Sequence, residues 1–288
     1  MSGEPEVRKK VTPRNLAAAL ALVFAVQVVA LWITVLNKPV YDAVGQISVG
    51  PFTGSAPTVS IGNALTLVVL VFATTLGLVW LIRKKLVRSF KAVVFLAVAF
   101  SAFALTWFTI DGIFSNYSWY GASYVLPLEL AIAAVPAVVI GYTIFFHNYW
   151  ILSTTILGLI SAEVGSFFAS TLPLDMALFL PLLFGIYDIY AVFRGPLKQL
   201  VSAAPAGALA GMSVKTGEFT LGLGDIVFYS MLPSIALFYL RPLNTVLTLV
   251  AVDFGVVFTL YLLTRRRLLP GLPIPMALGL LVLAISFL

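Results

Sequence analysis

Long apolar stretches separated by short polar segments dominate this chain. Nine of the stretches are close to 20 residues long, the length at which a helix rising about 1.5 Å per residue crosses a hydrocarbon core of about 30 Å. The pattern therefore predicts an all-α polytopic membrane protein with nine transmembrane helices. The predicted spans are residues 16–36, 61–82, 92–110, 125–146, 150–170, 176–193, 221–240, 243–263 and 270–288.

The composition supports a membrane protein and excludes several kinds of chemistry. Of the 288 residues, 61% are hydrophobic and 10% are charged, whereas about a quarter of the residues in soluble domains are charged. There is no cysteine, and His147 is the single histidine. Disulfide frameworks, thiolate catalysis and multi-histidine metal sites are therefore excluded, and we expect no metal and no cofactor.

The basic residues indicate how the chain is oriented. If the N-terminus is cytoplasmic, all of the 17 basic residues except Lys38 and Arg241 fall in cytoplasmic segments, as the positive-inside rule requires. The C-terminus is then external, and the net charge of +6 favours anionic membrane lipid rather than nucleic acid as a partner. We expect a multi-pass protein of the plasma membrane. Residues 1–193 would form a six-helix part, 194–220 a cytoplasmic loop and 221–288 a three-helix part.

Each acidic residue inside a predicted span raises the free energy of membrane insertion by roughly 2.5–3.5 kcal/mol, so its presence indicates a structural or functional role. There are five: Glu129, Glu163, Asp188, Asp225 and Asp253. Glu129 lies near the outer end of its span, which favours an acid bonded to a neighbouring helix or within reach of water. Glu163 and Asp253 lie deeper, and the sequence indicates no partner for them.

Asp188 and Asp225 lie at matched depth on consecutive, oppositely directed spans. Each is about five residues from the cytoplasmic end of its helix, roughly 7–8 Å below the same face, and consecutive elements are usually neighbours. Two facing carboxylates hold one proton between them over a wide pH range. The ionised member then takes a proton from water while the protonated member polarises a carbonyl. This chemistry suits peptide-bond hydrolysis inside the membrane.

Two features beside the aspartates each allow two interpretations. Gly222 and Gly224 precede Asp225; they either let the backbone of an extended substrate approach closely or serve a helix–helix contact. The cluster Pro270-Gly271-Leu272-Pro273-Ile274-Pro275 predicts non-helical backbone at the start of the ninth span. That backbone either lines a wet cavity beside the acids or is a plain helix N-terminus at the interface.

Three segments resemble the presenilin family and occur in that family's order. Tyr187-Asp188-Ile189-Tyr190-Ala191-Val192-Phe193, followed by Gly195-Pro196-Leu197-Lys198, resembles the YD helix and the Gly-Pro-Leu-basic segment after it. Leu221-Gly222-Leu223-Gly224-Asp225-Ile226-Val227-Phe228-Tyr229-Ser230 is similar to the GxGD helix. Leu269-Pro270-Gly271-Leu272-Pro273-Ile274 resembles the PAL motif, with glycine in place of its alanine.

The resemblance implies a presenilin-like fold and a GxGD intramembrane aspartyl protease, with Asp188 and Asp225 as the catalytic pair. It implies that the substrate is the membrane span of a single-pass protein. The residues implied to shape the site or to bind substrate are Tyr187, Gly222, Leu223, Gly224, Pro270, Gly271 and Leu272. A homo-oligomer is compatible with the sequence, and accessory subunits are not inferable from it.

A proton- or ion-coupled transporter or channel is the alternative function. Five intramembrane acids and one interrupted helix motivate it, because such features mark ion pathways. Many transporters, however, carry paired breaks in two related halves, and the obvious break in this chain occurs once, at residues 270–275.

Overall fold

The computed structural model is α-helical, with one small sheet, over the part of the chain that it describes. The described residues are 13–44, 57–117, 120–145, 150–195, 212–216, 219–265 and 269–288. His147, the Pro196-Leu197-Lys198 segment and residues 196–211 of the predicted cytoplasmic loop lie outside the described residues.

Nine helices and two strands occur in these ranges. The six helices before the sheet are α1 (Pro13–Val44), α2 (Pro57–Arg83), α3 (Val87–Phe114), α4 (Val125–Phe145), α5 (Trp150–Thr171) and α6 (Leu174–Phe193). They are followed by β1 (Ser213–Thr216), β2 (Phe219–Gly222), α7 (Leu223–Tyr239), α8 (Pro242–Leu263) and α9 (Pro273–Phe287). The prediction of an α-helical membrane protein is confirmed.

The helix lengths separate into two groups. Among the described residues, seven helices are long and apolar enough to cross a membrane. The other two, α7 and α9, have 17 and 15 residues. Helix α7 starts later than the predicted span, since residues 219–222 pair as a strand, and α9 starts after residues 270–272, which are not helical, as the proline cluster predicts. The count of nine spans and the orientation of the termini stay predictions.

A β-hairpin leads directly into α7. The antiparallel strands pair Ser213 with Gly222 and Thr216 with Phe219, and the N–H of Leu223 donates to the carbonyl of Met212 at 3.0 Å. The prediction of an all-α chain left this hairpin out, because it assigned the residues partly to a loop and partly to a span. The hairpin fixes Gly222 at the first turn of α7.

Helix α7 is the core of the bundle. It packs against α5, α1 and α8, and every residue from Ile226 to Ala236 is buried, as expected for a helix that is apolar on all sides. Small residues bring α5 and α7 together: a Cβ built on Gly165 would lie 2.9 Å from the carbonyl oxygen of Val227, and Ser230 Oγ donates to the Ser161 carbonyl at 3.2 Å. This close approach is typical of helix contacts in membranes.

A buried glutamine compensates for a proline inside α7. Pro233 has no N–H, so the carbonyl of Tyr229, four residues earlier, loses its helical hydrogen bond. Gln27, on α1 and 0% exposed, donates from Nε2 to that carbonyl at 3.2 Å. An unpaired carbonyl at this depth would cost several kcal/mol, so the polar residue in an apolar span has a structural reason.

Candidate active site

The structure brings the carboxyl groups of Asp188 and Asp225 into one site. Asp188 lies five residues before the end of α6 at Phe193 and is 9% exposed. Asp225 is the third residue of α7 and is partly exposed. It lies closer to its helix end than the sequence predicts, because Gly222 belongs to a strand. The two carboxyl groups are near enough to interact electrostatically.

The non-helical segment before α9 lies between the two aspartates. The N–H of Leu272 donates to Asp188 Oδ2 at 3.0 Å, and the N–H of Gly271 also interacts with this carboxyl group. On its other side Gly271 contacts Asp225, since a Cβ built on the glycine would lie 2.5 Å from Asp225 Oδ2. Pro270 and Leu272 are buried beside it. The proline cluster therefore lies beside the acids, as the first of its two interpretations requires, and its role as the wall of a wet cavity stays a prediction.

The expectation that α6 and α7 are close neighbours holds only in part. Helix α6 packs mainly against α2 and α9, and it meets α7 through the rings of Phe184 and Phe228, whose centroids are 4.9 Å apart. Near the aspartates the start of α9 fills the space instead: a Cβ built on Gly185 of α6 would lie 3.7 Å from Pro273 Cα. The aspartates therefore meet across a third element rather than across a direct helix contact.

Gly222 and Gly224 differ in their surroundings. A Cβ on Gly222 would lie 3.0 Å from Asp225 Oδ2, and the N–H of Gly222 interacts with the same carboxyl group. A Cβ on Gly224 would meet nothing within 4 Å, which rules out the helix-contact interpretation at this position. Gly222 makes room for the carboxyl group, whereas Gly224 faces open space.

Gly224 and Leu223 form one end of a cavity of about 730 Å³ between α2 and α3. The walls are almost entirely apolar, and they include Trp80 and Leu81 of α2 and Val93 of α3. A cavity of this size is in the range of ligand-binding pockets. A second, small cavity of about 50 Å³ is lined in part by Asp225, Tyr229 and Gly271, which is enough for a water molecule.

Tyr187 precedes Asp188 but points toward α2. Its ring lies edge-on to Phe72, with centroids 6.4 Å apart, and its hydroxyl group interacts with Thr75. The side chain thus connects α6 to the helix that forms one wall of the large cavity. It does not lie between the two carboxyl groups.

Sequence reasoning missed Tyr229, which the structure places in the site. Tyr229 follows Asp225 by four residues, so the two share one face of α7. Its hydroxyl group donates to the Gly271 carbonyl at 2.9 Å. A buried tyrosine needs a partner for its hydroxyl, and the spacing from Asp225 is the signal that points to this site.

The remaining intramembrane acids each contact a polar side chain of another helix. Trp107 Nε1 donates to Glu129 Oε2 at 3.3 Å, in agreement with the interpretation of Glu129 as an acid bonded to a neighbouring helix. Thr106 Oγ1 lies 3.0 Å from both oxygens of Glu163, and the side chain of Gln27 interacts with Asp253. In the described part of the chain no three acidic or histidine side chains are grouped to hold a metal ion.

Comparison with known proteins relates the C-terminal part of the chain to presenilins. Residues 210–288 match the Presenilin family model. Presenilin-B of Dictyostelium discoideum is 37% identical over 112 residues, which is 35% of this chain. The match spans 23% of the length of that relative.

The fold likeness extends over nearly the whole chain. Two structures of a presenilin family intramembrane aspartate protease, in space groups C222 and P2, superpose with TM-scores of 0.60 and 0.59 at 20% identity. They cover 94% and 92% of this chain, and the chain covers 98% and 96% of theirs. Fold and site together define a multi-pass α-helical membrane protein. In sequence the C-terminal part of the chain is similar to presenilins, and in fold nearly the whole chain is similar to a presenilin family intramembrane aspartate protease.

Proposed function

We propose that this protein is a GxGD-type intramembrane aspartyl endopeptidase that cleaves the transmembrane segments of single-pass membrane proteins. The observation that carries the proposal is that both aspartates lie against the same short segment: Asp188 Oδ2 accepts from the N–H of Leu272, and the carboxyl group of Asp225 lies against Gly271. The fold likeness to solved presenilin family intramembrane aspartate proteases supports it. Asp188 lies before the region matched by the family model, which starts at residue 210.

In the proposed mechanism the two carboxyl groups share one proton. The ionised aspartate removes a proton from water while the water oxygen attacks the substrate carbonyl carbon, and the protonated aspartate donates its proton to the carbonyl oxygen. The tetrahedral intermediate then breaks its C–N bond. The aspartate that took the proton from water gives it to the leaving amine, and the other aspartate takes a proton back from a hydroxyl group of the intermediate, so that the carboxyl product forms and the pair again holds one proton. The 50 Å³ cavity beside Asp225 is a suitable place for that water, because it adjoins the carboxyl group.

The large cavity between α2 and α3 is the proposed path of the substrate. Its apolar walls suit the side chains of a transmembrane segment, and its end at Gly224 lies one residue from Asp225. The missing Cβ at Gly224 allows the backbone of an unwound segment to approach the carboxyl groups. Substrate recognition would then depend mainly on apolar shape, with the few polar groups concentrated at the site of hydrolysis.

Cleavage of a single-span reporter by the purified protein, in detergent and in liposomes, tests the proposal. We expect the wild type to cut within the span and Asp188→Asn or Asp225→Asn to lower the rate roughly 10²–10⁴-fold or more. Asparagine keeps the shape of the side chain, so the loss would reflect the missing carboxylate. Because the carboxyl groups titrate as a pair, the wild-type rate should show a bell-shaped dependence on pH.

Glu163→Gln is the matched control, since Glu163 is also a membrane-embedded acid but contacts Thr106 on α3 instead of the site. This variant should cleave at the wild-type rate. Full activity in either aspartate variant would remove the proposed roles. Ion flux through liposomes without any cleavage would favour the transporter or channel.

A further inference from the structure

We infer that Tyr229 is a positioning residue that holds Asp188 in place through a single peptide group. This inference rests on the proposed function and adds to it a residue that does not itself react. The peptide group is the one that joins Gly271 to Leu272. Tyr229 binds its carbonyl oxygen at 2.9 Å, and Asp188 Oδ2 accepts from its N–H at 3.0 Å.

The planarity of the peptide bond is what connects the two hydrogen bonds. The C=O of Gly271 and the N–H of Leu272 belong to one rigid plane, and the described chain contains no cis peptide bond, so the two groups point in opposite directions. A donor that fixes the oxygen therefore also fixes the direction of the N–H. Hydrogen bonds in such a series also polarise one another, so the tyrosine strengthens the N–H as a donor to Asp188.

This segment needs such a fixed point, because it has few hydrogen bonds of its own. Residues 270–272 are not helical, and Pro270 and Pro273 cannot donate backbone hydrogen bonds. Tyr229 itself is well anchored: it is 2% exposed, and its own carbonyl is bound by Gln27 on α1. The rigid partner is thus α7, and the segment before α9 is the part that is held.

The same arrangement fixes the distance between the two aspartates. Tyr229 is one helical turn after Asp225, so the position of its hydroxyl group relative to Asp225 is set by α7. The Gly271–Leu272 peptide group, held by this hydroxyl group, in turn fixes the position of the Asp188 carboxyl group on α6 through its N–H. Loss of the hydroxyl should leave both carboxyl groups present but poorly aligned, and misplacement of reacting groups by about 1 Å costs on the order of 10²-fold in rate.

Tyr229→Phe removes only the hydroxyl group and is the informative variant. Tyr239→Phe is its matched control: Tyr239 lies on the same helix, and its hydroxyl also donates to a backbone carbonyl, that of Leu172, at 3.2 Å, at the end of α7 away from Asp225. Full-length protein is compared in three measurements: kcat and KM on the single-span reporter, thermal unfolding, and hydrogen exchange of the Leu272 amide.

We expect Tyr229→Phe to lower kcat roughly ten- to a hundredfold with KM changed by less than about twofold. The Leu272 amide should exchange faster in this variant, while Tyr239→Phe leaves both kcat and exchange unchanged. Unchanged kcat in Tyr229→Phe, or an unchanged exchange rate at Leu272, overturns the inference. If even the wild type fails to cleave, the proposed function fails, and the Leu272 exchange rate alone then decides whether Tyr229 holds this peptide group.

Discussion

Gly271 lies directly against the carboxyl group of Asp225. A Cβ built on the glycine would be 2.5 Å from Asp225 Oδ2 and 2.8 Å from Cγ. The oxygen can rotate away, but Cγ moves only if the whole side chain moves. Gly271 stands where the PAL motif has alanine. In this chain the position of the Asp225 carboxyl group leaves no room for the methyl group of an alanine.

We predict that Gly271→Ala lowers kcat roughly tenfold or more, because the added methyl group displaces Asp225 from its position beside Asp188. Cleavage of the reporter measures the effect, and thermal unfolding should change little, since the side chain that must shift is partly exposed. Gly62→Ala is the control, because a Cβ at Gly62 meets nothing within 4 Å. Wild-type kcat in Gly271→Ala would show that the carboxyl group tolerates the methyl group.

Gly224 offers a test of the substrate path that leaves the free protein intact. A Cβ at this position also meets nothing within 4 Å, and it would project into the cavity between α2 and α3. Gly224→Val should therefore fold with little change in stability, because valine has a higher helix propensity than glycine, but raise KM for the reporter several-fold. A variant with wild-type KM would place the substrate backbone elsewhere.

The sequence predicted that Asp188 and Asp225 form a pair, because acids in apolar spans are costly and these two lie at the same depth. It also predicted the non-helical start of α9, because Pro270 and Pro273 cannot donate. It did not predict that this start lies between α6 and α7, since hydrophobic periodicity specifies which face of a helix is buried but not which element covers it. Any apolar element of suitable size can cover such a face, so the pattern alone does not identify the neighbour.

The hairpin and the role of Gln27 were missed for different reasons. Residues 213–216 and 219–222 form two strands of four residues each, too short for their alternation to be distinguished from the adjoining apolar span. Pro233 does indicate that the Tyr229 carbonyl lacks a donor. The donor, however, is 202 positions away in the chain, and only the folded structure identifies it.

The contact between Thr106 and Glu163 should contribute to the free energy of unfolding of the protein. Thr106 Oγ1 lies 3.0 Å from both carboxyl oxygens, so Thr106→Val leaves a partly buried acid without this donor. We expect the free energy of unfolding to fall by about 1–3 kcal/mol, measured by thermal or denaturant unfolding in detergent. Thr155→Val is the control, because its hydroxyl bonds the Ile151 carbonyl of its own helix on the exposed side; an equal loss in both variants would contradict the prediction.

The hydrogen bond between Gln27 and the Tyr229 carbonyl can be tested by restoring the missing donor. Gln27→Leu leaves that carbonyl unpaired at membrane depth and should cost about 1–3 kcal/mol of unfolding free energy. Pro233→Ala supplies a backbone N–H four residues after Tyr229, so the carbonyl regains a helical partner. The double variant should therefore lose less stability than Gln27→Leu alone.

Gln27 also interacts with Asp253, so part of the loss in Gln27→Leu has a different origin. A double-mutant cycle separates the two parts, because only the loss at the Tyr229 carbonyl depends on residue 233. We expect a coupling energy of about 1 kcal/mol or more, together with partial recovery of kcat in the double variant, since the same bond anchors the residue that holds the Gly271–Leu272 peptide group. Strictly additive effects on stability would mean that Gln27 acts through Asp253 and that the carbonyl finds its partner elsewhere.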